Sequence, residues 1–180
     1  MKILNLFYSM TSNTKIVAER ISKDIESLGH SLDLMQLTTK DLSLDLLNYD
    51  MFFIGSGVYE WLPGKPMQEV FAKWRKHYVE QGAILPSSPR LTGKKAVIYC
   101  TYGGAHTGIN EAIPAVKYMG QLFDHLGIEI IGEWYFVGEY HPERLKPFSS
   151  NGRLGNIEGR PNENDLNEVS ERVKGILQAL

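Results

Sequence analysis

The sequence has little cysteine, little net charge and no long apolar run. Cys100 is the only cysteine among 180 residues, which excludes an intramolecular disulfide and a cysteine-rich metal or iron–sulfur site. The net charge of −2 gives no strong field to attract nucleic acid or an anionic membrane. No apolar run approaches the roughly 18 residues of a membrane span. We therefore expect a soluble cytoplasmic protein, without nucleic-acid or membrane partners, that recognises other molecules through local sites.

Signals for export and for metal chemistry are also missing. The opening stretch MKILNLFYS has the length of a strand and lacks a small-residue cleavage site, so we expect no signal peptide. The five histidines show no metal-ligand spacing such as HExxH, and we predict no metal site. A receiver-type phosphorylation domain would need acidic residues after the first and third strands, where this chain has Ser9 and Gly55.

Strand and helix patterns alternate along the chain. The strand patterns cover residues 2–8, 32–36, 51–54, 94–101 and 128–137. Glycines 55 and 57 are predicted to end the third strand, and a loop rich in Leu and Asp is predicted after the second. Apolar residues at helical spacing follow the first, third, fourth and fifth strands. This alternation predicts an α/β protein with a parallel sheet covered by helices on both faces.

Residues 1–180 are interpreted as a single domain that carries a long irregular loop at 138–162. A loop of that length either covers a ligand, contacts a partner subunit or simply leads across the surface to the last helix. Trp74, Tyr78 and the aromatic run 134–136 belong either to the face of a homodimer or to the core.

Three loops at one edge of the predicted sheet carry the candidate site. In an open parallel sheet, ligands bind beyond the carboxyl ends of the strands, near the reversal of strand order. After the first strand comes YSMTSNT, whose neutral hydroxyl groups and helix-start N–H groups suit a phosphate monoester. The alternative is a plain helix N-cap, for which Ser, Thr and Asn are also typical.

The other two loops offer aromatic rings and approachable backbone. Tyr59 and Trp61 follow the third strand in GSGVYEWLPG, where they either contact a flat ligand or pack on the neighbouring helix. Tyr102, Gly103 and Gly104 follow the fourth strand, and their backbone groups suit a polar ring edge. His106 lies in the same loop and is either a site residue or an ordinary surface histidine.

The order of elements and the stretch SMTSNT resemble the flavodoxin-like family, whose phosphate loop follows the pattern [T/S]xTGxT. Ser9, Thr11 and Thr14 match this pattern, and Ser12 replaces its glycine. The segment GGAHTG also resembles flavodoxin-like quinone reductases, and GRPNENDL resembles the run before the last helix of other family members. The resemblance implies a doubly wound five-stranded parallel sheet of order 2-1-3-4-5 that binds FMN.

Carried over by position, the resemblance divides the site into two parts. The phosphate is expected at Ser9, Met10, Thr11, Ser12, Asn13 and Thr14. The isoalloxazine ring is expected between Gly57, Val58, Tyr59, Glu60 and Trp61 on one side and Thr101, Tyr102, Gly103, Gly104 and His106 on the other. The flavin would supply the redox chemistry, with Tyr59 or Trp61 stacked on the ring and His106 near its pyrimidine edge.

Two departures from the family bear on function. Electron-carrier flavodoxins are usually strongly acidic, whereas this chain is nearly neutral. Glu60 falls near the position where many carriers have a glycine that changes its peptide orientation on reduction. We therefore favour an FMN-dependent oxidoreductase supplied by NAD(P)H or by a redox partner protein. The alternatives are a one-electron carrier and a non-enzymatic binding module with the same fold.

Overall fold

The computed structural model describes residues 1–38 and 44–180, so part of the Leu- and Asp-rich loop predicted after the second strand, residues 39–43, lies outside the described residues. The strands are β1 (Lys2–Tyr8), β2 (Ser31–Gln36), β3 (Met51–Tyr59), β4 (Leu62–Pro63), β5 (Lys95–Tyr102) and β6 (Glu129–Val137). The helices are α1 (Asn13–Ser27), α2 (Lys65–Glu80), α3 (Ile113–His125), α4 (Pro147–Asn151) and α5 (Glu163–Gln178). Short 3-10 turns occupy Leu46–Asn48 and Gly108–Glu111.

The five long strands form one parallel sheet in the order β2-β1-β3-β5-β6. β5 and β6 are the fourth and fifth strands that the sequence predicts. The structure therefore confirms the expected order 2-1-3-4-5. The direction of strand addition reverses between β1 and β3. Their carboxyl ends therefore flank the crevice in which a doubly wound sheet binds its ligand.

Alternate residues of each strand face opposite helical layers, because side chains in a strand point to the two faces in turn. One buried cluster joins the sheet to α1 and α5 and includes Ile21, Phe53 and Val173. The other joins it to α2 and α3 and includes Phe52 and Phe123. Helices therefore cover both faces, as the alternating pattern predicted.

The third strand is longer than predicted. Residues 51–54 were expected to form the strand and the glycines to end it, but β3 runs through them to Tyr59. A Cβ at Gly55 would lie 2.1 Å from two ring atoms of Tyr99 on the neighbouring β5. The glycine therefore makes room for a ring that crosses the strand, and glycine in a strand often marks such a close approach.

The sequence left open whether several aromatic residues belong to a dimer face or to the core. These residues pack in the core. Trp74 and Tyr78 are buried on α2, and Trp134 and Phe136 are buried on β6. Tyr135 points to the opposite face of the sheet and is half-buried.

The segment 138–162 contains structure of its own. It includes α4 and ends in a capping box, in which the Asn162 side chain accepts from the N–H of Asp165 and the Asp165 side chain accepts from the N–H of Asn162. The buried Ser149 accepts from the N–H of Ile157 through its carbonyl and from the N–H of Tyr140 through its hydroxyl. These bonds fold the segment back on itself beside the loop that follows β5.

Candidate functional site

A cleft lies beyond the carboxyl ends of β1, β3, β5 and β6. It has an inner pocket of about 120 Å³ at the start of α1 and an outer pocket of about 700 Å³ beside the β3–β4 hairpin. The two pockets adjoin each other and share these lining residues: Met10, Val58, Tyr59, Tyr102, Gly103, Tyr140, Pro142 and Leu145. The combined volume lies in the range of small-molecule and cofactor sites, roughly 300–1,000 Å³.

The backbone at the start of α1 forms a concave row of N–H groups. Ser12 has φ 73°, the left-handed conformation, and is followed directly by helix. Among the described residues, the N–H groups of residues 11–15 donate to no protein acceptor. A left-handed residue beside right-handed ones turns successive N–H groups toward one point and makes an anion-binding concavity. We call residues 11–15 the N–H cradle.

Helix capping does not explain the polar side chains of this loop. Ser12 occupies the N-cap position of α1, yet its side chain accepts no capping hydrogen bond. The N–H groups that an N-cap side chain usually satisfies are therefore left for another acceptor. Thr11 and Thr14 line the inner pocket beside them.

Thr14 and Thr101 connect two of the predicted loops. Their buried Oγ1 atoms lie 2.7 Å apart. Two hydroxyl groups have two protons, and their mutual bond uses one of them. The second proton remains for donation, and both residues line the inner pocket.

Asn13 fastens the first loop to the segment after β6. Its Nδ2 donates to the carbonyl of Glu139 at 2.9 Å, and its Oδ1 lies 2.8 Å from Nε2 of His141. A Cβ at Gly138 would lie only 2.6 Å from Nδ2 of Asn13, so the contact requires glycine there. The side chain of Asn13 is thus used within the protein, and its backbone N–H belongs to the cradle.

The β3–β4 hairpin forms one wall of the outer pocket. Tyr59 pairs with Leu62, and the two residues between them, Glu60 and Trp61, have φ 50° and 69°. Positive φ at both central residues is the geometry of a type I′ turn, which usually contains Asn or Gly. Trp61 is 63% exposed and lines the outer pocket with Glu60. This wall therefore exposes the large ring of Trp61, and the backbone that carries the ring has a strained conformation.

Tyr59 joins the hairpin to the first loop. Its hydroxyl accepts from the N–H of Met10 at 3.1 Å, and its ring meets Tyr8 edge-on at 5.8 Å between centroids. Burial raises the pKa of Tyr59 above its ordinary value. A Cβ at Gly57 would lie 2.8 Å from that hydroxyl, so glycine leaves room for it.

The loop after β5 contributes backbone to the opposite wall. A Cβ at Gly103 would lie 2.2 Å from the ring of Tyr140, and Gly104 has φ 54°. Tyr140 accepts from the N–H of Ala105 through its hydroxyl at 3.3 Å. Burial raises the pKa of Tyr140 as well. Gly103 thus allows Tyr140 to lie directly against the loop.

Most of the sequence-predicted site residues line the cleft. These are Met10, Thr11, Asn13, Thr14, Gly57, Val58, Tyr59, Glu60, Trp61, Thr101, Tyr102, Gly103 and Gly104. Ser9, Ser12 and His106 are absent from the linings of both pockets. His106 is exposed and its ring packs edge-on against Phe148 at 5.7 Å, away from the pocket walls.

The fourth wall comes from the beginning of segment 138–162, for which the sequence left open whether it covers a ligand, and none of its residues was predicted individually. It contributes Gly138, Glu139, Tyr140, His141, Pro142, Arg144 and Leu145. The length of the segment was the available signal, because long loops in compact proteins are commonly functional. Lys65 and Gln68, at the start of α2, were also not predicted to line the cleft.

Features of other site classes are not seen in the described part of the chain. Residues 1–38 and 44–180 contain no group of three or more His, Cys, Asp or Glu side chains able to hold a metal ion. None of the helices there combines the length and apolar character needed to cross a bilayer.

No protein-family model matches the chain, and no curated protein matches it. Several solved structures do match the chain. Flavodoxin 1 from Bacillus cereus superposes with a TM-score of 0.69 at 15% identity, covering 100% of this chain and 99% of that one. The flavodoxin of Streptococcus pneumoniae TIGR4 has a TM-score of 0.57 at 24% identity, covering 84% and 97%. A flavone reductase has a TM-score of 0.61 at 13% identity, covering 99% and 62%. The chain therefore has a flavodoxin-like fold, as its sequence pattern predicted.

Proposed function

We propose that the chain is an FMN-binding flavoprotein and that it acts as an oxidoreductase supplied by NAD(P)H or by a redox partner protein. The observation that carries this proposal is the N–H cradle beside the inner pocket of the cleft. Three of its residues, Thr11, Asn13 and Thr14, line the inner pocket, which has about the size for one anionic group. The outer pocket continues from it along aromatic walls that suit a planar ring.

The residues present fit a phosphate monoester joined to a flat ring system. The cradle holds no lysine or arginine before Lys15, so neutral N–H and hydroxyl donors would receive the phosphate. Thr11 and the Thr14–Thr101 pair line the same pocket and would add hydroxyl donors. When bound, FMN would supply the electron-accepting ring that no side chain of the protein provides.

The chain itself would orient that ring and control access to it. Tyr59 and Trp61 line the outer pocket on the hairpin side, and Gly103 and Gly104 bring backbone to the other side. Tyr140, which follows β6, would limit the entry of water, because its ring lies against Gly103. His106 is not included in the proposed site, since its ring packs on Phe148.

Substitutions of Ser12 test the cradle directly. Ser12→Gly keeps every N–H and favours the left-handed conformation, so we expect FMN affinity to be equal or higher. Ser12→Pro removes one N–H and imposes φ near −65°, where Ser12 has φ 73°, so we expect FMN binding to be lost. Affinity is read from the quenching of FMN fluorescence, and far-ultraviolet circular dichroism checks that both variants fold. A folded Ser12→Pro variant that binds FMN normally would refute the cradle.

Thr11→Ala tests the side-chain contribution. Hydrogen bonds to charged groups contribute about 1.5–3 kcal/mol, so we expect FMN affinity to fall roughly 10- to 100-fold. Thr38→Ala, outside the cleft, is the matched control and should leave affinity unchanged. Equal affinities of the two variants would argue against phosphate at this loop.

A one-electron carrier is the second candidate. It is favoured because this chain and flavodoxin 1 from Bacillus cereus cover each other almost completely. The enzymes among the similar structures are longer: this chain covers 62% of the flavone reductase and 35% of a rubredoxin oxygen:oxidoreductase from Desulfovibrio gigas. The nearly neutral charge favours the oxidoreductase. Anaerobic mixing with NADH or NADPH separates the two. Rapid bleaching of the flavin absorbance by either nucleotide supports a reductase, whereas inertness toward both favours a carrier.

A further inference from the structure

Two cations of the outer pocket have no ion-pair partner among the described residues. Lys65 begins α2 on the hairpin side of the pocket, and Arg144 lies in the segment after β6. No hydrogen bond or salt bridge within residues 1–38 and 44–180 engages either side-chain charge. By contrast, Lys146, two residues beyond Arg144, pairs with Glu143 at 2.5 Å. Both free cations are exposed and line the same cavity.

The proposed cofactor does not account for these cations. Its phosphate would lie in the inner pocket, and neither Lys65 nor Arg144 is among the residues that line that pocket. The oxidised isoalloxazine ring has no net charge. A free lysine and a free arginine at the other end of the cleft therefore suit an anionic group of a different molecule.

The outer pocket is larger than an isoalloxazine ring, so the ring would not fill it. An isoalloxazine has about 18 non-hydrogen atoms, which would take about 540 Å³ at the roughly 30 Å³ that a water molecule occupies in the liquid. This is an upper bound, because covalently bonded atoms lie closer together than neighbouring water molecules. The pocket measures about 700 Å³. Trp61 lines this pocket and is 63% exposed, so a second planar body that extends beyond the remaining space could still contact its ring.

Two acidic residues line the same pocket and oppose an anion there. Glu111 accepts through one Oε1 from the N–H groups of His106 and Thr107, at 2.7 and 2.6 Å, so its charge is partly offset within its own loop. Glu60 lies at the tip of the hairpin without an ion pair among the described residues. Glu60 should therefore weaken the binding of an anion that Lys65 and Arg144 favour.

From this arrangement we propose that the outer pocket binds a second, planar ligand that carries an anionic group. Its ring packs beside Trp61, and its anion interacts with Lys65 and Arg144. The inference rests on the proposed function, since it assumes that FMN occupies the inner pocket and part of the outer one. It identifies the small-molecule partner of the site as a planar organic anion.

Two inert probes with the same ring separate charge from stacking. Naphthalene-2-sulfonate and naphthalene-2-methanol are titrated by calorimetry into the FMN-loaded protein, and absorbance reports bound flavin in the same sample. We expect the sulfonate to bind more tightly than the alcohol, with a difference that shrinks at high salt. Lys65→Gln and Arg144→Gln should each weaken sulfonate binding about fivefold and leave alcohol binding unchanged.

Further variants test whether local charge in the outer pocket causes the preference for the sulfonate. Glu60→Gln should strengthen sulfonate binding, and Lys174→Gln, an exposed change on α5 with the same net charge effect, should do nothing. Equal binding of the two probes, or an undiminished preference in the Lys65→Gln, Arg144→Gln double variant, would overturn the inference and leave FMN binding intact. Release of flavin during the titration would also overturn it, because the probe would then take the place of the cofactor. A protein that does not bind FMN at all refutes the proposed function and this inference together.

Discussion

Gly55→Ala should strongly destabilise the protein, because the added methyl group has no space. Gly55 lies in the interior of β3, directly opposite Tyr99 of β5. A Cβ there would lie 2.1 Å from Cε2 and Cζ of that ring and 2.7 Å from Cε1. Tyr99 is fully buried, and its hydroxyl donates to Oδ1 of Asn5 at 2.9 Å. The ring must move to admit the methyl group, and the hydrogen bond is lost when it does.

The expected cost follows from these two effects. Overpacking a buried site costs about 1–3 kcal/mol, and leaving a buried polar group without its partner costs about 1–3 kcal/mol. Together they predict a loss of about 2–6 kcal/mol, a large share of the roughly 5–15 kcal/mol that stabilises a typical domain. Guanidinium unfolding followed by circular dichroism measures the change. Gly175→Ala is the matched control, because nothing lies within 4 Å of a Cβ there. In the interior of α5 it should stabilise by about 0.5–1 kcal/mol.

A double-mutant cycle identifies the cause of the loss. Tyr99→Ala removes the ring that the methyl group added by Gly55→Ala would meet, so the two substitutions should be strongly non-additive. The reasoning is refuted if Gly55→Ala leaves the free energy of unfolding within about 0.5 kcal/mol of the unsubstituted protein, the usual range for changes that touch nothing. Strict additivity with Tyr99→Ala would refute the contact even if Gly55→Ala destabilises.

Three further predictions concern the hairpin, the last helix and alkaline pH. Glu60→Gly relieves the positive φ of 50° and should stabilise by about 1 kcal/mol; an unchanged melting temperature would contradict the turn geometry. Asn162→Ala removes the acceptor for two N–H groups at the start of α5 and should cost about 1 kcal/mol, whereas Asn164→Ala should be nearly neutral in the same guanidinium titration. Burial raises the pKa of Tyr99 well above 10, and burial and the charge of Glu133 raise that of Tyr135 to about 12. The unfolded chain therefore ionises first, near pH 10, so stability is full below that pH and falls as pH rises further; equal guanidinium midpoints at pH 8 and 11 would contradict this.

The sheet was predictable because its buried strands appear in the sequence as continuous apolar runs. Residues 2–8 and 94–101 read as strands and correspond to β1 and β5, and β5 is shifted by one residue at both ends. The third strand was cut short because glycine is usually a signal for a turn. Whether Gly55 ends a strand or makes room for a ring depends on Tyr99, which lies far along the chain and on another strand. A local pattern contains no information about that contact.

The lining of the cleft was predictable where it follows strands and was missed where it depends on a folded-back segment. The loops after β1, β3 and β5 meet because the carboxyl ends of parallel strands share one edge of the sheet. Tyr140 and Arg144 reach the same cleft only because the residues after β6 turn back over it. That turn is held by the contact of Asn13 with Gly138 and its neighbour, far away in sequence. His106 failed to reach the cleft because its ring meets Phe148 of the same segment.

Backbone strain gives an independent reason to place function in this cleft. Five residues other than glycine have positive φ in the described chain, and three of them, Ser12, Glu60 and Trp61, lie in the cradle or the hairpin. The left-handed conformation costs such residues about 1–2 kcal/mol each, and strain of this kind persists mainly where function requires the geometry. At Ser12 the conformation turns successive N–H groups toward one point, and at the hairpin it directs an exposed tryptophan along the outer pocket. A glycine at any of the three positions would remove the cost. Residues with side chains are nevertheless present at these three positions. The strained backbone therefore lies beside the two ends of the proposed ligand, its anion and its ring.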